Sequence, residues 1–293
     1  MNTLYRTIGI SKQGFHQWLN RQLAVYEEQE HLLPILRQYR EDHPRMSCRQ
    51  MYYRLMPRTM GRDQFELFCY AHGFKVEIKR RKYRTTDSRG VIYFPNLLHQ
   101  LAELTGINQL WVSDITYYEI GKQVYYLTFI TDIYNREITG YSASKDLKTV
   151  STTIPALRMA IRNRRIKQDS GLIFHSDGGG QYYSKMFVNM TSRYGICNSM
   201  GKTAYENPHA ERVNGTIKND YLIPYQPGDY QELTRMLKKA VDMYNRYKPH
   251  QSLGRHTPQE FRQLAERGLL TKTWVVNKKK KVTKKEKVNI TIN

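Results

Sequence analysis

The sequence predicts an α/β fold, a mixed five-stranded sheet with helices, preceded by a small basic all-α region. Three observations carry that expectation. The runs QLWVSDITYYEI, QVYYLTFITDIY and REITGYSAS are rich in β-branched and aromatic residues, the composition of strands. Helix-length stretches and short apolar runs alternate after them. Up to about Gly90 the chain instead reads as helical and basic.

Taken in order, Ser11 suits the N-cap of a short helix in GISKQGFHQWL, and a longer helix follows through EEQEHLLPILRQYRED. Ser47 caps SCRQMYYRLM, which Pro57 stops. GRDQFELFCYAHG then sets Phe65, Phe68 and Cys69 at helical spacing, with Gly73 as its C-terminal stop. These last two helices read either as a helix-turn-helix or as an ordinary pair whose aromatics are core. KVEIKRRKYR, residues 75–84, has six basic residues in ten, among them Arg80, Arg81 and Lys82. It reads as a solvated linker that also serves as a phosphate-binding arm.

Gly121-Lys122 and Asn135 punctuate the three strand runs, as short turns between antiparallel neighbours do. TVSTTIPALRMAIRNRR is helix-length and GLIFHSD a short strand. A helix from about Ser184 to Tyr194 and a strand at GICNSM come next. Asn207-Pro208, as cap and first helical residue, opens a helix to about Tyr221. Three antiparallel strands followed by alternating helix and strand is the order of an RNase H-like layer. Residues 229–267 are helical, broken by KPHQSLGRHTP, and the tail from Lys272 holds eight lysines and one acid with little to pack. The expected organisation is a helical, helix-turn-helix-like DNA-binding region (1–74), a basic linker (75–107), a catalytic core (108–225), its helical C-terminal part (226–267) and a flexible lysine-rich tail (268–293).

The 293 residues carry 47 Lys+Arg against 26 Asp+Glu, a net charge of +21. Self-repulsion of that size needs a polyanionic partner, and nucleic acid is the first expectation. No apolar run approaches the ~18 residues of a membrane span. MNTLYRTIGISKQ has no apolar signal core, and Cys48, Cys69 and Cys197 lack metal-ligand spacing. A cytoplasmic protein with no membrane partner is expected.

Three acids stand out. Asp114 lies within the first strand run, where a lone carboxylate is costly without a cation or hydrogen-bond partner. Asp177 ends the strand LIFHS and opens DGGGQY; Glu211 sits one turn into the helix begun by Asn207-Pro208. Lys218, seven residues on, shares the face of Glu211. Each acid also has a structural reading: a strand-end partner for arginine, a turn or cap aspartate, a first-turn glutamate suiting the helix dipole. Together, on strand, strand end and helix, they fit a catalytic site for magnesium, which takes oxygen ligands and in two-metal sites draws carboxylates from separate elements. His175, separated from Asp177 by one residue, is read as packing rather than ligating under the period-two rule. His209 and His250 are read as DNA contacts or helix caps, and DGGGQY lacks the Lys-Ser/Thr of a phosphate loop.

At these residues the chain resembles the integrase-type transposases of bacterial insertion sequences, most nearly the downstream-frame (OrfB-type) protein of the IS-three family. The likeness rests on Asn108 through Tyr117, His175-Ser176-Asp177-Gly178 with Gln181-Tyr182, and Ala210 through Gly215 with Lys218. It continues in Tyr244-Asn245, Pro249-His250, Ser252-Leu253 and Thr257-Pro258, and reaches the N-terminal pieces GISKQGFHQWL, YREDHPRMSCRQMYYRL and GRDQF. The resemblance implies an integrase-like DDE core in which Asp114, Asp177 and Glu211 bind two Mg²⁺ or Mn²⁺ ions and Lys218 touches terminal DNA. Asp132 then matches a structural aspartate, and Glu211 is preferred to Glu206, which has no lysine seven residues beyond. The spacing departs slightly: 33 residues separate Asp177 from Glu211, fewer than is usual for the family, and the loop GKTAYENPHA absorbs the difference.

The implied function is metal-dependent cleavage of an element's terminal repeats and strand transfer into target DNA, with Arg212, Asn214, Lys218 and the Arg80-Arg81-Lys82 run gripping DNA. A homo-oligomer on DNA is implied by the need to join two ends, and an upstream-frame helix-turn-helix partner or fusion by the family's habit. The alternatives are a nuclease of the same fold, a non-catalytic DNA-binding repressor, or a decayed copy.

Overall fold

A computed structural model of the chain describes residues 9, 11–76, 93–201, 207–275 and 289–290. Arg80, Arg81, Lys82, Glu206 and most of the lysine-rich tail lie outside the described residues. Two compact units are formed, Met1–Lys79 and Arg80–Asn293.

In the first unit, α1 (Lys12–Asp42) starts where Ser11 accepts a hydrogen bond from the Gly14 amide at 2.9 Å. The two helices expected here are one 31-residue helix. No glycine or proline separates Trp18 from Glu27, so nothing in NRQLAVY stops it; Pro34 lies inside it. Helix α2 (Cys48–Leu55) begins with a capping box between Ser47 and Gln50. Helix α3 (Arg62–Ala71) follows, and Gly73 takes φ 76° at its end, as its position as a stop requires. Leu36, Met51, Phe65 and Cys69 are fully buried among the three helices. Two polar latches fix the packing. Glu28 of α1 accepts from the amides of Arg58 (2.6 Å) and Thr59 (2.8 Å). Arg40 donates to the carbonyls of Pro44 and Met46 at 2.9 Å and of Phe74 at 2.6 Å.

The second unit is built on a five-stranded mixed sheet. Strands β1 (Leu110–Ile120), β2 (Gln123–Asp132) and β3 (Ile138–Ser144) form an antiparallel meander; β4 (Ile173–Ser176) and β5 (Cys197–Met200) add in parallel beside β1. The order across the sheet is β3-β2-β1-β4-β5. Gly121, at φ 59°, makes the two-residue β1–β2 turn. Helices α4 (Thr153–Arg164) and α5 (Lys185–Arg193) cover one face over Trp111, Ile130 and Phe174. The α4 contact is close at Gly140, where a Cβ would stand 2.1 Å from the Ala156 carbonyl oxygen. Helix α6 (Pro208–Thr216), a π-helical segment Ile217–Leu222 and α7 (Tyr230–Arg246) cover the other face over Tyr125, Leu127 and Phe129. Helix α8 (Pro258–Glu266) packs Phe261 at the sheet's end.

Parts of the intervals read as linker and tail are tied to this unit. Leu104 is fully buried, and Glu103–Leu104 pairs antiparallel with Trp274–Val275. Trp274 Nε1 donates to the Tyr134 carbonyl at 3.0 Å. Trp274 is an apolar residue that the lysine-weighted tail composition concealed, and Leu104 was covered by grouping its Lys- and Arg-free stretch 91–107 with the basic run before it.

Candidate active site

Alternation along β1 sorts its side chains. Trp111 and Ile115 turn toward the α4–α5 layer, while Asp114 turns toward α6, where Asn214 Nδ2 donates to its Oδ2 at 2.8 Å. The β1–β4 register pairs Leu110 with Ile173, Trp111 with Phe174 and Val112 with His175. Continued two residues, that register brings Asp114 level with Asp177, just past the end of β4. Adjacent strands lie about 4.8 Å apart, so the two carboxylates share the carboxyl end of a parallel pair, where open α/β sheets bind ligands.

Glu211 comes from across this edge, on α6. Its helix is docked by Asn207, whose Nδ2 donates to the Ser113 carbonyl at 2.9 Å. Asn207 does precede the helix and Pro208 does open it, but the Asn207 side chain makes no cap bond. The amide is spent on the strand that carries Asp114. The helix also departs from a regular α-helix over Ile217–Leu222, a π-helical segment of a kind frequent at functional sites. Lys218 lies on it, with Nζ 3.0 Å from both Thr116 Oγ1 and the Tyr117 carbonyl and 4.9 Å from the centre of the Tyr117 ring.

Electrostatics tie the acids together. Burial, then Asp177 and then Glu211, push the Asp114 carboxyl up to about 7, against the Ile115 amide and Asn214, which favour its ionised form. Burial also raises Asp177, opposed by the Gly179 amide at 3.2 Å. Burial pulls the Lys218 ammonium down, while Asp114 and Glu119 hold it up. Among the described residues no three His, Cys, Asp or Glu side chains enclose an ion as they stand. Asp114 is repelled by both other acids, but among the described residues the three do not form a finished coordination shell. As a donor set they fit a hard divalent cation, because a nearby positive charge would remove the penalty that holds Asp114 toward its neutral form.

Residues 105–205 and 194–258 each match a family described as integrase core domain, and together the matches run from residue 105 to 258. An uncharacterized 31 kDa protein of insertion element IS600 from Shigella sonnei is 29% identical over 88% of this chain and 97% of its own length. The transposase for insertion sequence element IS629, also from Shigella sonnei, is 28% identical over 76% of this chain and 75% of its own. The chain belongs to the integrase-core transposases of insertion sequences. The HTLV-2 integrase catalytic core domain, solved in complex with magnesium, is similar over 54% of this chain and 97% of that one, at 24% identity and a TM-score of 0.44.

Within the transposase fold the remaining sequence candidates separate. Asp132, fully buried, accepts from the amides of Asn108 (2.8 Å) and Tyr134 (2.9 Å) and faces Arg164 at 3.7 Å, the structural role expected of it. His175 is also fully buried, with Nδ1 2.9 Å from Ser199 Oγ. The period-two rule was the wrong reason to set His175 aside, since positions 175 and 177 alternate onto the same side; burial and Ser199 occupy it. Asn214, expected at DNA, spends its amide on Asp114.

Arg212 lies on a different side of α6 from Asn214, lining a cleft with Arg136, His209 and Tyr244. Burial, then Arg136 and Arg212, push the His209 imidazole down to about 4. Sequence reading missed Arg136, which shares no run or motif with the residues it meets, and it quoted Tyr182 for the resemblance without giving it a role. The buried Tyr182 hydroxyl pairs with Ser113 Oγ at 2.9 Å and braces the Asp114 strand from beneath.

Proposed function

We propose that this transposase cleaves phosphodiester bonds at the ends of its insertion sequence and transfers the freed 3′-hydroxyl to another strand, using Asp114, Asp177 and Glu211 as metal-binding residues. The observation that carries the reading is the register match of Asp114 and Asp177, with Glu211 close enough to help push the Asp114 carboxyl up. Three carboxylates with Lys218 as their nearby cation repel one another, which makes the cluster costly as structure and useful as a ligand set. Bound Mg²⁺ or Mn²⁺, two ions in our reading, would supply charge stabilisation at the attacking and leaving oxygens and lower the pKa of a coordinated water.

The protein's own groups do the positioning. Asn214 orients Asp114 through its 2.8 Å bond, and the Gly179 amide does the same for Asp177. Lys218, braced on Thr116 and Tyr117 beside the acids, is placed to hold a DNA phosphate near the reacting bond. The net charge of +21 supports DNA as the partner. The N-terminal helical unit and the 75–84 basic run are read as further grips on the ends. Joining two ends calls for a homo-oligomer on DNA, and the IS-three resemblance for an upstream-frame partner or fusion. No helix among the described residues is long and apolar enough to cross a membrane; we place the transposase in the bacterial cytoplasm with its DNA.

Labelled DNA carrying the flanking terminal sequences tests this, incubated with wild type and Asp177→Asn, with and without Mg²⁺. Metal-dependent joining by wild type alone supports the reading. Cleavage without joining favours a nuclease, and binding indifferent to both metal and mutation favours a repressor. Repeating the assay with the upstream-fused protein decides whether a silent chain lacks its partner.

A further inference from the structure

The cleft on the other side of α6 has no assigned role. Its volume is about 240 Å³, enough for a phosphate group with part of its sugar, and Arg136, His209, Arg212, Tyr244, Lys248 and His250 are among the residues lining it. Among the described residues no carboxylate lines it. Arg136 donates to His209 Nδ1 at 2.9 Å and stacks on Trp274 with 4.6 Å between guanidinium carbon and ring centre. Among the described residues neither Arg136 nor Arg212 is ion-paired, and only Lys248 has an acidic partner, Asp220 at 3.1 Å. The Nε2 of His250 is buried there with no hydrogen-bond partner.

A larger cleft of about 660 Å³ between β3, α4, α7 and α8 is also basic, but its arginines are matched. Arg164 and Arg262 share Glu137 at 2.9 and 3.0 Å, Arg246 meets Asp242 at 2.7 Å, and Arg235 meets Glu232 at 3.1 Å. Gathering guanidinium groups without acids is costly, and an oxyanion offers both the missing charge and acceptors for their forked donors.

We propose that the Arg136–Arg212–His250 cleft is a phosphate-binding site that holds one backbone phosphate of a DNA strand running past α6, one helix face away from the acids. This rests on the DNA reading above and adds to it a second anchor. Arg212 and Arg136 fork onto the phosphate oxygens, His250 Nε2 completes the shell, and Glu211 is positioned because its own helix is clamped to the strand.

The test is fluorescence anisotropy of the full chain on terminal-repeat DNA across a salt series, comparing wild type with Arg136→Gln, Arg212→Gln and the double variant. Each single change is expected to weaken binding about tenfold and to lower the slope of log K against log salt by about one, as loss of a phosphate contact does. Arg136 also packs on Trp274, so the exposed Arg212 carries the test independently, with thermal melts confirming that both variants fold. Wild-type affinity and slope in both variants would overturn the cleft while leaving DNA binding intact; a wild type that binds no DNA would overturn the earlier reading as well. Melting in inorganic phosphate against chloride of equal ionic strength distinguishes the source. Stabilisation of wild type alone, with unchanged DNA slopes in the variants, would assign the cleft to a free oxyanion and overturn the DNA assignment.

Discussion

Asp114 and Asp132 sit on neighbouring antiparallel strands, both burdened by burial, and differ in what faces them. Asp132 has two backbone amides and Arg164, which Glu137 and Arg262 extend into a balanced ionic cluster. Asp114 has Asn214, Lys218 at longer range and two more acids. Both carboxyls are raised by burial, yet beside one the structure supplies a cation and beside the other it adds repulsion. Burial alone therefore does not mark a functional acid. An unbalanced neighbourhood does, and the same reasoning marks the basic cleft behind α6.

The largest way to break this comparison is catalytic. Asp177→Asn or Asp114→Asn should lower strand cleavage and joining by about 10³-fold or more, the scale seen when a member of a catalytic unit is removed. Asp132→Asn, measured on the folded fraction, should leave the rate per active molecule within about tenfold. Equal losses at both positions would erase the distinction.

The second way is stability, where the two aspartates should respond with opposite signs. Asp132→Asn leaves Arg164 its closer partner Glu137 at 2.9 Å but turns an amide NH2 toward the Asn108 or Tyr134 N–H, and should cost about 2 kcal/mol, the scale of a buried donor left unsatisfied. Asp114 has a folded pKa of about 7 against an ordinary 3.8, so the folded state binds its proton more tightly. Its ionisation thus destabilises the fold progressively as pH rises from about 4 to 7, and fully above 7. Without metal at pH 8, Asp114→Asn should be more stable than wild type, by at most about 4 kcal/mol for a shift of this size. The two should converge near pH 4, and Mg²⁺ should stabilise wild type at pH 8 but not the variant. Urea melts in EDTA and in Mg²⁺ read all of this. A less stable Asp114→Asn at pH 8 would show that the acid cluster is paired after all.

The sequence disclosed more of the fold than of the site. The three meander strands were legible because they are rich in β-branched and aromatic residues and their turns carry glycine or asparagine, and the two parallel strands because short runs alternate there with helices; so was the α6 start, from Asn207-Pro208. The continuity of α1 was not, because a helix that passes from exposed to packed surroundings has no single apolar stripe. For the candidate site, Asp114, Asp177, Glu211 and Lys218 were singled out through spacing and resemblance, and the structure adds the register that levels the two aspartates. Asn207 looked like a cap because its sequence context is that of a cap; its bond to Ser113 joins positions 94 apart and leaves no local trace. The Arg136 cleft was invisible for the same reason, being assembled from a turn, α6 and the segment after α7.

A smaller effect is expected at Lys218. Lys218→Gln removes one phosphate contact and the counter-charge beside Asp114, so joining should fall about tenfold and the salt slope of DNA binding by about one. A slope unchanged from wild type would mean that Lys218 serves only the strand it is bonded to.

The smallest effect sharpens the comparison most. Asn207 touches no acid, yet its 2.9 Å bond to the Ser113 carbonyl holds the start of α6 against the residue preceding Asp114. Asn207→Ala should cost about 1 kcal/mol in urea melts, the usual net worth of one hydrogen bond. It should also raise the Mg²⁺ concentration needed for half-maximal cleavage while leaving the rate at saturating Mg²⁺ near wild type, because a loosened α6 presents Glu211 less often. Asn207→Asp keeps the side chain's size but replaces the donor with an acceptor facing a carbonyl, and should do worse than alanine. If both variants lose only stability, with no change in the metal requirement, the bond merely packs the fold and Glu211 is positioned by something else.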